Sequence, residues 1–136
     1  MPAMRDPSLA SDTVTRGVRV HVQPEFLPDQ SSPEDKVWVH AYHVTITNEG
    51  ADTVQLVSRH WVITNGDGKE EHVRGPGVVG FQPVLAPGES FQYSSGCPLD
   101  TCVGSMHGSF QMVDRGGARF DAVVAPFTLA EPYALN

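Results

Sequence analysis

The chain has 136 residues, 40% apolar and 18% charged, the balance of one globular domain with its own core. Sixteen acids against nine bases give a formal charge of −7. Nucleic acid and anionic membrane surfaces, which need clustered Lys and Arg, are therefore not expected partners.

Residues 1–13 carry turn-forming and polar residues and no apolar signal region, so they are expected to be a flexible tail and the chain cytoplasmic. From there the apolar period is two. Val18, Val20 and Val22 alternate with Arg19 and His21. In Val37–Asn48, Trp38, Tyr42, Val44 and Ile46 share one parity, and Val39, Ala41 and His43 the other. In Val54–Thr64, Leu56 and Val62 oppose Val57, Trp61 and Ile63, the pattern expected of a central strand apolar on both faces.

Asn65-Gly66-Asp67-Gly68 then turns the chain into Lys69–Arg74. Ala86-Pro87-Gly88-Glu89 has the Pro and Gly of a type II turn and leads into Ser90–Ser95, with Phe91 and Tyr93 on one face. Asp114-Arg115-Gly116-Gly117 joins Ser105–Val113 to Ala118–Val124. Eleven prolines and thirteen glycines leave no room for helical periodicity. Seven to eight short strands predict an all-β sandwich over residues 14–130, followed by a tail over 131–136.

Gly75-Pro76-Gly77-Val78-Val79-Gly80 has the G-x-G-x-x-G form of a dinucleotide fingerprint. That fingerprint works by presenting a helix N-terminus to pyrophosphate, and Pro83 and Pro87 forbid the helix. Two readings of the loop remain. It is a connection shaped by glycine, or a nest of backbone N–H groups aimed at an anion. Arg74 adjoins it, and Arg59 lies one strand earlier; whether both reach one face depends on register. His60 follows Arg59, and Trp61 reads as core.

No pair of histidines has the i, i+2 spacing of a ready two-ligand site on a strand, and His40 and His43 fall on opposite faces. Cys97 and Cys102 lack the spacing of a zinc knuckle and read as unpaired thiols. There is no nucleophile elbow, His-Glu-x-x-His or P-loop lysine, so no enzyme, metal or cofactor is expected.

Val20–Gln30, Ser58–Thr64, Val73–Gln82, Leu85–Ser90, Ser95–Asp100 and Met106–Val113 together resemble the ApaG family, over about Val18 to Leu129. The resemblance implies an immunoglobulin-like or fibronectin type III-like sandwich. It also implies a link to cobalt and magnesium homeostasis, and a domain that eukaryotes fuse to F-box proteins and to a DNA-polymerase-interacting protein. Its glycine loop, suggested to bind pyrophosphate, maps onto Gly75, Gly77 and Gly80; Cys102 departs from the family's usual proline.

The expectation is a non-catalytic binding or adaptor module with a protein partner, able to homodimerise through an edge strand. The alternative is a sensor of pyrophosphate or a dinucleoside polyphosphate, with or without a divalent metal, built on Arg59, His60, Arg74, Gly75, Gly77 and Gly80. An adaptor predicts an exposed apolar strip, and a sensor a positive patch joining Arg59 to Arg74.

Overall fold

The alternating valines at 18, 20 and 22 are all buried, and the two-residue period carries through the rest of the chain as two antiparallel sheets. The computed structural model describes residues 4–131. The strands are β1 (Met4–Arg5), β2 (Ser11–Thr15), β3 (Val18–Phe26), β4 (Trp38–Asn48), β5 (Val54–Asn65), β6 (Glu70–Pro76), β7 (Val84–Leu85), β8 (Ser90–Leu99), β9 (Val103–Asp114) and β10 (Arg119–Ala130). Three single-turn 3-10 helices sit between the early strands. The first sheet runs β1-β3-β4-β8, with β2 also on β3. The second runs β10-β9-β5-β6, with β7 also on β5. Two strands are only two residues long, which leaves eight of ordinary length.

The core lies between the sheets. Val20, Val22, Tyr42, Val44 and Ile46 face Leu56, Trp61, Phe110, Phe127 and Leu129. Trp61 is 2% exposed and meets Tyr42, Phe110 and Phe127 edge-on, so its role is packing. Buried Asn48 fastens one sheet to the other, donating through Nδ2 to the carbonyls of Asp52 and Leu85 while Oδ1 accepts from Gly50 N–H.

Two expectations change. The ordered fold begins upstream of residue 14: β1 and β2 both pair with β3, and the β2–β3 hairpin closes on Arg16 and Gly17, whose φ values are 48° and 81°. Such a turn matches the twist of a two-residue hairpin, but Arg at its first position hides the signal. The C-terminal tail lies, beyond residue 131, outside the described residues.

The second change concerns β5. Its double apolar parity comes mainly from a bulge. The register against β9 shifts between Leu56 and Ser58, so Leu56 and Trp61 both point into the core although their numbers differ by an odd count. The turns at 65–68, 86–89 and 114–117 form as expected, each with one glycine at positive φ: Gly68 (82°), Gly88 (87°) and Gly117 (85°).

Candidate functional site

The bulge in β5 sets the geometry of the glycine loop. The carbonyl of Val57, the extra residue, accepts from the Gly77 amide at 2.8 Å and from Gln82 Nε2 at 2.9 Å. Downstream of the bulge the odd residues turn inward, so Arg59 points between the sheets. It lies across from Gly75 in β6, and its Nη1 donates to the carbonyls of Pro76 and Gly77, both at 3.0 Å. A side chain at 75 would collide with it, since a Cβ there would come within 2.9 Å of Arg59 Nη1. Gly75 is thus the opening through which the guanidinium reaches the loop.

Gly77 has φ +58°, and a Cβ would lie 2.2 Å from the Phe81 carbonyl oxygen. The next turn is closed by reciprocal bonds between Val78 and Phe81, at 2.8 and 2.9 Å. At its tip stand Val79 (φ 44°) and Gly80 (φ 86°). The amides of Gly77, Val78 and Phe81 are thus satisfied within the protein, and the chain passes on to β7 without a helix. Val79 is the anomaly: a β-branched residue at positive φ is disfavoured, and this one is half exposed at the tip of the turn.

The register separates the two arginines. Arg59 faces inward opposite Gly75, whereas Arg74 sits opposite His60 on the outer face. His60 and His72 share that face, with Nε2 of His60 at 2.9 Å from Nδ1 of His72 and their rings stacked at 5.2 Å. Desolvation lowers the His60 pKa, helped by the charges of Arg74, His72 and His107, with Asp121 opposing. Glu70 Oε1 lies 3.5 Å from His72 Nε2. The histidines meet across neighbouring strands, a pairing that spacing along one strand cannot reveal. Among the described residues no group of three or more His, Cys, Asp or Glu is placed to hold a metal ion.

Two further features leave no trace in the sequence pattern. Val79, Phe81 and Val84 are exposed by 52%, 60% and 59%, and Phe81 continues onto the partly buried Phe91 ring at 5.9 Å. At the opposite end of β6 and β8, a groove of about 360 Å³ opens between the sheets, floored by Ile63 and Leu99 and rimmed by Lys36, Lys69, Glu70, Glu71 and Asp100. Its lining comes from four separate chain segments, so no local motif announces it. Cys97 is buried and Cys102 exposed, and neither is in a disulfide. Burial pushes the Cys97 thiol up to about 11, the mark of an inert core cysteine.

Fold and loop together define a small antiparallel sandwich whose glycine motif shapes a turn. The ApaG domain matches residues 28–114. Protein ApaG of Bradyrhizobium sp. (strain ORS 278) is 58% identical over 119 residues, covering 88% of this chain and 92% of that protein. Protein ApaG of Dechloromonas aromatica (strain RCB) is 50% identical over 126 residues, covering 93% and 99%. The crystal structure of the ApaA protein of Bordetella pertussis superposes with a TM-score of 0.83 at 49% identity, over 85% of this chain and 94% of that one. The chain belongs to the ApaG family.

Proposed function

We propose that this domain is a non-catalytic, cytoplasmic protein-interaction module whose contact surface is the exposed turn from Val79 to Val84. The carrying observation is Val79, an apolar side chain held outward at φ 44° in a position where Asn or Gly would relieve the backbone. Phe81 and Val84 stand exposed beside it and make a strip of the kind that partners cover. The sensor reading needs Arg59 and Arg74 on one surface, and they lie on opposite faces of their hairpin. It also needs a run of loop amides free to meet an anion, and those of Gly77, Val78 and Phe81 are engaged, which leaves it Val79 and Gly80 at the tip. A role in cobalt and magnesium homeostasis would, on this reading, run through the partner.

The test has two arms. Amide NMR titration with pyrophosphate, diadenosine tetraphosphate, Mg²⁺ and Co²⁺ is expected to leave Arg74–Gly80 unmoved. Saturable shifts confined to that loop would overturn the proposal in favour of the sensor. In the second arm, a protein co-purifying with the wild-type domain is identified, expressed alone and titrated back. Phe81→Asp should weaken that complex at least tenfold without changing the fold, and an unchanged affinity would remove the turn from the interface.

A further inference from the structure

The sheet margins are not built alike, and two of them, β2 and β10, lean on each other, Val123 N–H donating to Thr15 Oγ1. β6 carries Glu70, Glu71, His72 and Arg74. β2 carries Asp12. β10 carries Arg119 and Asp121 and is broken by a register shift that spans Pro126. Charges, prolines and bulges are the devices by which edge strands avoid pairing with other chains. β8 has none of them through Ser90-Phe91-Gln92-Tyr93-Ser94-Ser95-Gly96-Cys97, and meets its only proline at Pro98. It pairs with β4 on one side and with no other described strand.

The hydrogen-bond phase of β8 can be fixed from its neighbour. Val39 turns its carbonyl to Leu27 N–H at 2.9 Å, and its own N–H to Ser31 Oγ at 2.8 Å, both away from β8. Val39 and Pro98 are therefore a non-hydrogen-bonded pair. At the far end, Asn48 N–H donates to the Glu89 carbonyl at 2.9 Å, which sets the same alternation. Ser90, Gln92, Ser94, Gly96 and Pro98 consequently aim their main-chain groups at the free margin. Their exposed side chains, on the outer face, are small or neutral. Phe91 and Tyr93, on the opposite parity, are only partly buried where the two sheets part.

We propose that β8 is a self-association edge: a second copy of this chain pairs antiparallel to it about a two-fold axis at Ser94, joining the first sheets of both copies into one. With Ser94 opposite itself, Gln92 falls opposite Gly96 and Ser90 opposite Pro98, all residues of the outward-turned set. The proline has no N–H to offer, but its carbonyl can accept from Ser90 of the other copy. The charge pattern of this edge admits a like copy. A chain of net charge −7 repels its own kind, so an isologous contact must be made where no charge meets its own image, and β8 is such a strand.

Light scattering and sedimentation on the full chain, from micromolar to millimolar concentration, test this. The expected result is a reversible monomer–dimer equilibrium that tightens as salt is raised, because screening weakens the repulsion between acidic copies. Gln92→Pro removes an outward N–H that β4 does not use, and Ser94→Lys sets like charges face to face on the axis. Each should weaken the dimer at least tenfold with circular dichroism unchanged; if one fails to fold, the other decides. A chain monomeric at millimolar concentration overturns the proposal, as does a dimer indifferent to both substitutions or one that loosens in salt. These measurements involve no other protein, so their outcome is separate from that of the proposed partner surface.

Discussion

Gly77 and Gly80 look equivalent in the sequence, and their surroundings separate them. At Gly77 both space and φ forbid a side chain, and at Gly80 only φ does, since nothing lies within 4 Å of a Cβ there. Gly77→Ala should cost about 2–4 kcal/mol and Gly80→Ala about 1 kcal/mol, as the difference between displaced backbone and a single left-handed residue. Urea unfolding of the two variants measures both. Val79 supplies the opposite case. Val79→Asn should stabilise the fold by about 1 kcal/mol through relief of φ, while weakening partner binding, the trade expected where a strained residue serves an interface.

Buried His40 has another kind of tension. It is 0% exposed against the Phe26 ring, and neither ring nitrogen has a hydrogen-bond partner among the described residues. Desolvation pushes its pKa from 6.5 down to about 4. Above pH 6.5 the imidazole is neutral folded or unfolded, so it adds no pH dependence there. Between 6.5 and about 4 the unfolded chain takes up a proton that the folded one refuses, so stability falls as pH drops through that window. The loss is on the order of 3 kcal/mol and complete below pH 4. His40→Leu should abolish that slope and raise neutral stability by about 1–2 kcal/mol, because no buried ring nitrogen is left unpaired. Thermal melts of both proteins across pH 4–8 check it.

At the scale of elements, most strands were legible because one face is dry: β3, β4, β8 and β9 keep a single buried parity along nearly their whole length. What escaped were the places where a strand changes phase. In β10, Ala122 and Val124 are buried at even positions, then Phe127 and Leu129 at odd ones, with the shift spanning Pro126. The proline is the visible trace of that bulge. In β5 no such residue marks the spot, so an apolar set on both parities passed for burial on both faces. The placement of Arg59 was lost with it, because one residue decides whether that side chain points inward or outward. Gly108 shows how tightly β9 is held to β5: a Cβ there would come 2.0 Å from the His60 carbonyl oxygen. Gly108→Ala should therefore destabilise by about 2–4 kcal/mol in the same unfolding assay.

For the whole molecule, the fold class followed from period-two patterning and turn chemistry, and the site did not, because its parts come from separate strands. Arg59 and Arg74 are fifteen positions apart and cross-strand neighbours by one step, yet they serve opposite sides of a sheet. The outer acids draw on other long-range contacts. Burial raises the Glu25 carboxyl, but bonds from His43 Nε2 at 2.7 Å and Arg5 Nε at 2.8 Å outweigh it and hold the group below its ordinary value. Asp12 is held low chiefly by its hydrogen bonds to Arg19. Their stabilising effect persists above the ordinary carboxylate range and fades below it, later in an acid titration than the effect of His40.

The extra residue at Val57 also makes the strand a counting device. Every side chain after it is addressed to a face by one added step, and the same residue's carbonyl anchors the glycine loop. Deleting Val57 would close the gap in the ladder without changing that address: Leu56, Ser58 and Arg59 would follow Met112, Gln111 and Phe110 in unbroken succession, Trp61 would stay in the core, and the glycine loop would lose the carbonyl that holds Gly77 and Gln82. The bulge residue should thus be dispensable to the sandwich and indispensable to the loop, the reverse of what its place inside a central strand suggests.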